Sequence, residues 1–326
     1  MKKIAVTMGD PGGIGPEVAL KALCSNEIRK LCTPFIIGDE GVLKKAASLI
    51  KRPIKLKPIE SPDDAKGRAG VIEFIDIGRH RGFIKGKPSK EGGRASFACI
   101  KKAVELALEK EIDAIVTSPI SKESLKMAGL PWPGHTEMLA ELTGAKDYAM
   151  MFVGGPLRVI LVTIHTSLEN VPELITKEKV FKTILLAEKG MRMLGIKNPK
   201  IGVSGLNPHA GEGGLFGVEE IREIAPSIKK AKKMGLNVSG PYPPDVIFRK
   251  AYSGELDIVV AMHHDQGLIP LKMIAFDEGV NITVGLPVIR TSPDHGTAFD
   301  IAWKAKASPE SMIEAIKIAE ALRLQA

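Results

Sequence analysis

Short apolar runs alternate along this chain with longer stretches whose apolar residues recur at helical spacing, and that alternation predicts an α/β protein. The first half carries predicted strands at Lys3 to Met8, Pro34 to Gly38, Val71 to Ile77 and Asp113 to Thr117. The second half carries them at Leu157 to Ile164, Lys200 to Ser204, Asp257 to Met262 and Asn281 to Leu286. Predicted helices are Pro16 to Leu23, Ala95 to Lys110, Glu137 to Leu142, Lys177 to Leu194, Val218 to Met234, Val246 to Tyr252 and Ser308 to Leu324. Pro16 lies in the first turn of its helix, and Ser308, Pro309 and Glu310 read as cap, first helical residue and first-turn acid of the last one. Lys85 to Gly93 reads as the mobile loop, and Gly129 to Gly134 and Ser239 to Pro244 as ordered turns.

Strands such as LRVILVTI and DIVVAM are apolar without alternation. That pattern belongs to mainly parallel sheets covered on both faces. Ligands of such sheets bind outside the carboxyl ends of the strands. A chain of 326 residues exceeds what one core usually holds, so two lobes are expected.

Composition removes several functions. The net charge is +8, but the basic residues are scattered except for short helical clusters such as Lys229-Lys230 and Lys232-Lys233. No aromatic residue interleaves with a basic run, so no platform for stacking bases is expected. Cys24, Cys32 and Cys99 form no CxxC pair and are odd in number, which fits a reducing cytoplasm. The first apolar run stops at Gly9-Asp10-Pro11, too short for a secretory segment. No stretch approaches the ~20 apolar residues of a membrane span.

Three of the seven histidines follow strong strands: His165 after LRVILVTI, His209 five residues after IGVS, and His264 after DIVVAM. Imidazole donors suit Zn²⁺, Co²⁺, Fe²⁺ or Ni²⁺ better than Mg²⁺, and three protein ligands leave positions open for a substrate. Position alone leaves a metal site and three structural histidines equally open. His135 and Thr136, in Gly134-His135-Thr136-Glu137, precede a short helix and read as an anion site. Arg290 follows a strand and could fork onto a phosphate or carboxylate. Lys272 lies in an apolar context and reads either as a charge needing a partner or as a snorkelling surface lysine. Asp245 reads either as a general base or as the cap of the helix after it. Two glycine-bearing segments are candidate nucleotide turns. Gly9 to Glu17 lacks the G-x-G-x-x-G spacing, and His295 to Ala302 reads as a loop entering a helix.

Taken together, GDPGGIGPE at 9–17, GHTE at 134–137, NPHAGEGG at 207–214, HDQG at 264–267 and the region from Arg290 to Asp300 resemble the 4-hydroxythreonine-4-phosphate dehydrogenase family of pyridoxal phosphate biosynthesis. The first and last of these motifs are also similar to isocitrate and isopropylmalate dehydrogenases, with Phe299 where those enzymes carry proline and an extra Pro11-Gly12 after Asp10. The resemblance implies two α/β/α lobes with mainly parallel sheets and a cleft between them. Residues 1–130 and 270–326 would form the first lobe and 131–269 the second. It implies His165, His209 and His264 as ligands of one divalent metal (zinc, magnesium or cobalt). His135, Thr136, Lys272, Asn281 and Arg290 would be substrate contacts, and Gly296, Thr297 and Asp300 would hold NAD or NADP. Lys272 and Asp245 both stand as candidate catalytic bases.

The implied activity is oxidation of 4-phosphooxy-L-threonine with decarboxylation to 3-amino-2-oxopropyl phosphate, by a homodimer with its active site at the subunit interface. Members acting on 4-phospho-D-threonate, 4-phospho-D-erythronate or a dihydrodiol dicarboxylate share the motifs. Outside the family, three histidines with Asp265 also suit a metal-dependent hydrolase, and a non-catalytic metal-binding protein is the third reading. Neither nucleic acid nor membrane is expected as a partner.

Overall fold

A computed structural model describes residues 1–51 and 53–324; residues 52, 325 and 326 of the expected lobes lie outside the described residues. The chain divides into two compact units, Met1–Ala145 with Leu286–Ala321, and Lys146–Gly285 with the chain from Leu322. The boundaries therefore fall at 145/146, 285/286 and 321/322. The helix at His135–Thr143 packs with a helix of the first unit, so 131–145 lies there rather than with the second lobe, and 270–285 belongs to the second unit.

The first unit is built on β1 (Lys3–Thr7), β2 (Thr33–Gly38), β3 (Lys55–Pro58), β4 (Val71–Asp76), β5 (Ala114–Thr117) and β12 (Arg290–Pro293). Their spatial order is β3-β4-β2-β1-β5-β12, and every pairing among them is parallel. Its helices are α1 (Gly15–Leu23), α2 (Asn26–Leu31), α3 (Glu40–Ala47), α4 (Lys90–Leu108), α5 (Lys122–Met127), α6 (His135–Thr143) and α12 (Glu310–Ala321). α4 starts five residues before the expected Ala95. Ser89 caps it, accepting from Gly92 N–H at 3.1 Å, so Lys90 to Gly93 form its first turn instead of the expected loop. Two glycines in that turn masked the cap signal, because glycine disfavours helix interiors.

The second unit holds β6 (Ala149–Gly154), β7 (Leu157–Leu161), β8 (Ile201–Ser204), β9 (Val238–Tyr242), β10 (Ile258–Ala261) and β11 (Val280–Val284), in the order β11-β6-β7-β10-β8-β9. β7, β10, β8 and β9 run parallel, whereas β6 is antiparallel to both β7 and β11. A two-residue turn, Gly155-Pro156, joins β6 to β7, with Gly155 at φ 51°, a conformation that suits glycine in a tight hairpin. The expected turn at Ser239 to Pro244 is mostly the strand β9. Its Pro241 is tolerated because β9 lies at the sheet edge.

The remaining helices are α7 (Val171–Leu174), α8 (Lys177–Met193), α9 (Ala225–Lys233), α10 (Pro244–Tyr252) and α11 (His264–Ala275). The expected helix from Val218 divides into a wide-pitched turn at Glu220–Ile224 followed by α9. α10 and α11 bury Ile247, Ala251, Leu268 and Leu271 against Leu157, Val159, Leu161 and Val259. Gly267 makes that approach possible, since a Cβ there would lie 2.7 Å from Leu161 Cδ2 and 2.8 Å from Val159 Cγ1. Among the described residues, no helix is long and apolar enough to cross a membrane.

Candidate active site

β7, β10 and β8 are neighbours in the second unit, and the segment leaving the carboxyl end of each carries one histidine of the trio. β7 ends at Leu161, earlier than expected, so His165 lies four residues beyond it on an exposed turn. β10 ends at Ala261 and leads through His263 into α11, whose first residue is His264. β8 ends at Ser204, and His209 follows in a turn at Pro208–Gly214.

His165 and His264 come together, with ring centroids 5.9 Å apart, beside a cavity of about 370 Å³ that Thr166, Ser167, His263 and Asp265 also line. His264 Nδ1 lies 2.7 Å from Asp265 Oδ1. Hydrogen bonding to His264 is the main reason the Asp265 carboxyl sits below the usual range. A proton held on Nδ1 leaves the Nε2 lone pair for a metal, which is the usual arrangement of a ligating histidine. His209 repeats it, with Nδ1 3.1 Å from Glu212 Oε2. Its ring faces Phe216, at 6.0 Å between centroids.

His263 has a different task. Its Nδ1 accepts from Gln266 N–H at 3.4 Å and caps α11. Burial pushes its pKa down, so it serves as a neutral acceptor. Among the described residues, no three His, Cys, Asp or Glu side chains approach closely enough to hold one metal ion. The donor chemistry of His165, His209 and His264 fits a divalent metal, with carboxylates on Nδ1 of His209 and His264, but among the described residues the three rings do not converge on one point.

The first unit holds the residues expected to meet an anion. Arg290, 2% exposed on β12, donates from Nε and Nη2 to Thr117 Oγ1 at 3.2 and 2.7 Å. Burial pulls the guanidinium down to about 9, which leaves it charged at neutral pH. His135 opens α6, followed by buried Thr136. Burial first, and the Arg290 charge second, hold the His135 imidazole well below its ordinary pKa. Its Nε2 is buried with no hydrogen-bond partner among the described residues. A neutral ring nitrogen without a partner, near a buried guanidinium and at a helix start, is poised to meet a polar ligand atom. Asn281, buried on β11 of the second unit, likewise has Oδ1 without a partner. Lys272 lies half-buried in α11, eight residues after His264 and so about 12 Å along the axis.

Asp245 is exposed in the first turn of α10. The N-cap is Pro243 and no side chain caps the helix, so Asp245 is not its cap.

The two glycine-bearing segments weighed separately in the sequence meet in the first unit. Ile14 N–H donates to Thr297 O at 3.0 Å, and a Cβ on Gly13 would lie 2.8 Å from that same oxygen. Gly296 and Asp300 are exposed on the same loop. The loop runs into turns rather than a helix, with Ala298 and Trp303 at positive φ. Trp303 Nε1 donates to Pro11 O at 3.0 Å and its ring stacks on Phe83. Sequence reasoning passed over Asp10, a fully buried carboxylate that accepts from Gly12 N–H at 2.8 Å, and Glu220. Burial of a charge is not visible in residue type.

In fold alone, the chain is similar to a β-decarboxylating dehydrogenase from Thermococcus kodakarensis, at TM-score 0.51 and 15% identity over 98% of this chain and 82% of that one. The family is narrower: the chain belongs to the PdxA family, whose model, described as pyridoxal phosphate biosynthetic protein PdxA, matches residues 30–319. It is 48% identical to a 4-hydroxythreonine-4-phosphate dehydrogenase of Desulfosudis oleivorans, over 97% of this chain and 94% of that one. It is 46% identical to a D-threonate 4-phosphate dehydrogenase of Pectobacterium atrosepticum, over 98% of each. The crystal structure of 4-hydroxythreonine-4-phosphate dehydrogenase from Klebsiella pneumoniae superposes at TM-score 0.91 and 44% identity, covering 98% of this chain and all of that one.

Proposed function

We propose that this protein is an NAD(P)- and divalent-metal-dependent dehydrogenase that oxidises 4-phosphooxy-L-threonine and releases CO₂, forming 3-amino-2-oxopropyl phosphate. The observation that carries the reading is the buried, charged Arg290 beside a neutral His135 whose Nε2 has no partner. A dianionic phosphate offers acceptors to the guanidinium, to the Thr136 hydroxyl and to the first N–H groups of α6. In this reading Lys272 and Asn281 also touch the substrate. His165, His209 and His264 hold the metal, with ligands drawn from both subunits of a homodimer. Gly296, Thr297 and Asp300 hold the nucleotide.

A bound divalent metal would stabilise negative charge on the substrate oxygen, and the nicotinamide would accept the hydride. The chain's own residues bind the phosphate, orient the substrate alcohol and take its proton. Lys272 is the better base of the two candidates, because Asp245 is exposed in the first turn of α10. The dimer is supported by α11 and the residue after it, which expose Ile269, Met273, Ile274 and Phe276. A contiguous apolar surface of that kind marks an interface.

The second reading is 4-phospho-D-threonate or 4-phospho-D-erythronate as substrate, and the nearly equal identity to the Pectobacterium relative favours the first of these two. The deciding assay follows NADH or NADPH absorbance with each of the three phosphorylated compounds in the presence of zinc, cobalt or magnesium. The highest kcat/KM on 4-phosphooxy-L-threonine supports the first reading and the highest on phospho-threonate the second. No reduction with any of the three overturns both substrate readings.

A further inference from the structure

The turn that carries His209 is unusual backbone. Six consecutive residues have positive φ: His209 at 52°, Ala210 at 53°, Gly211 at 82°, Glu212 at 43°, Gly213 at 67° and Gly214 at 104°. Three of them are not glycine, and L-residues resist that conformation because Cβ crowds the following carbonyl. Such a turn persists only where its surroundings over-determine it.

The surroundings centre on one side chain. Glu220 is 3% exposed and begins the wide-pitched turn before α9. Its Oε1 accepts from the backbone N–H groups of Leu206 and Asn207, both at 2.8 Å. Its Oε2 accepts from Asn207 Nδ2 at 2.9 Å, and that amide also donates to Glu219 at 2.7 Å. A Cβ on Gly211 would lie 2.8 Å from Glu220 Oε2, so the middle of the left-handed turn rests on the carboxylate. No basic residue pairs with Glu220 among the described residues, and the amide donors account for its burial.

Gln266 acts from the other side. Its Oε1 accepts from Met262 N–H at 2.7 Å and its Nε2 donates to Gly205 O at 2.9 Å. The side chain thus ties the end of β10, which leads to His264, to the end of β8, which leads to His209. Gly205 is adjacent to Leu206, where the grip of Glu220 begins.

We propose that Glu220 is a positioning residue that holds the His209 turn in its left-handed form, with Gln266 fixing that turn against the His264 segment, so that the pair sets the metal affinity of the site. The proposal rests on His209 being a metal ligand.

The test is a Co²⁺ titration of the metal-stripped full chain, read by ligand-field absorbance and by Zn²⁺ competition, with melting temperature recorded for every variant. Glu220→Gln keeps the volume but turns an NH₂ group toward the Asn207 amide. It is expected to bind Co²⁺ on the order of 10- to 100-fold more weakly while melting within a few degrees of wild type. Adding Ala210→Gly, which relieves a left-handed non-glycine residue, is expected to restore roughly fivefold. Gln266→Glu cannot donate to Gly205 and is expected to weaken Co²⁺ binding as well; it decides the matter if Glu220→Gln does not fold. Wild-type affinity and spectrum in both single variants, with affinity lost in a His209→Ala control, overturns the proposal. So does a lowered melting temperature with unchanged Co²⁺ binding, which is the signature of a purely structural role. Wild-type affinity in the His209→Ala control overturns the ligand assignment itself, and the proposal with it.

Discussion

Arg290 and Thr117 are joined by two hydrogen bonds on one acceptor: Nε and Nη2 both donate to Thr117 Oγ1, at 3.2 and 2.7 Å. Both residues are buried on adjacent strands of the first unit, so the guanidinium is held in one orientation before any ligand arrives. Thr117→Val keeps the shape and removes that acceptor. A hydrogen bond to a charged group contributes about 1.5–3 kcal/mol. The variant is expected to lose stability of that order in denaturant unfolding and to show a raised KM for the phosphorylated substrate with kcat less affected. Arg290→Lys, which cannot fork, is expected to raise KM further, read from initial rates.

The buried imidazole of His135 makes stability depend on pH with a definite sign. Its pKa in the folded chain lies well below the ordinary 6.5, because burial and then the Arg290 charge oppose protonation. The unfolded chain therefore binds the proton more readily, and stability rises with pH. The His135 contribution is full above the ordinary value and is lost as pH falls below 6.5 toward the folded pKa. His135→Gln removes this dependence. Melting temperatures measured from pH 7.5 down to 5 are expected to fall more steeply for wild type than for the variant. Parallel curves would show that His135 is not held neutral by burial.

Gly267 lies where α11 presses on β7 and β10. In Gly267→Ala the new Cβ would stand 2.7 Å from Leu161 Cδ2, 2.8 Å from Val159 Cγ1 and 3.2 Å from Ala261 Cβ, all in a packed core. Overpacking of this kind costs about 1–3 kcal/mol. The expected result is a melting temperature lower by several degrees, together with weaker metal binding, because α11 begins at His264 and must move to make room. Calorimetry with a metal titration checks both.

The exposed apolar surface of α11 supplies a test of the dimer. Met273 is 83% exposed, and Met273→Glu introduces a charge without disturbing the core of its own chain. Sedimentation is expected to show a monomer that binds metal more weakly and has lost activity. A monomer with full metal affinity and full activity would refute the two-chain site.

Much of the fold was legible in the pattern of residues. β1, β2, β4, β5, β7, β8, β10 and β11 follow apolar runs, and α1, α8, α10 and α12 follow helical periodicity, because both signals are local. Elements without such a signal were missed. β6 is a methionine-bearing run with one β-branched residue, β9 contains glycine and proline, and α11 carries Pro270 within it. The motifs around His135, His209 and His264 could be read directly, since they lie at the ends of predictable elements, whereas Arg290, expected after a strand, opens β12, which has no apolar run of its own.

What the residues alone determined, then, was the alternation of the strongly patterned strands and helices and the kinds of donor that follow them. The tertiary structure decided which of those donors meet. It paired His165 with His264, gave His263 the capping task, brought Gly13 onto Thr297, and set Glu220 beneath the His209 turn. The reason is physical. Periodicity and capping depend on neighbours a few residues away, whereas burial, a shared acceptor or a left-handed turn depends on groups that only the folded chain brings into contact.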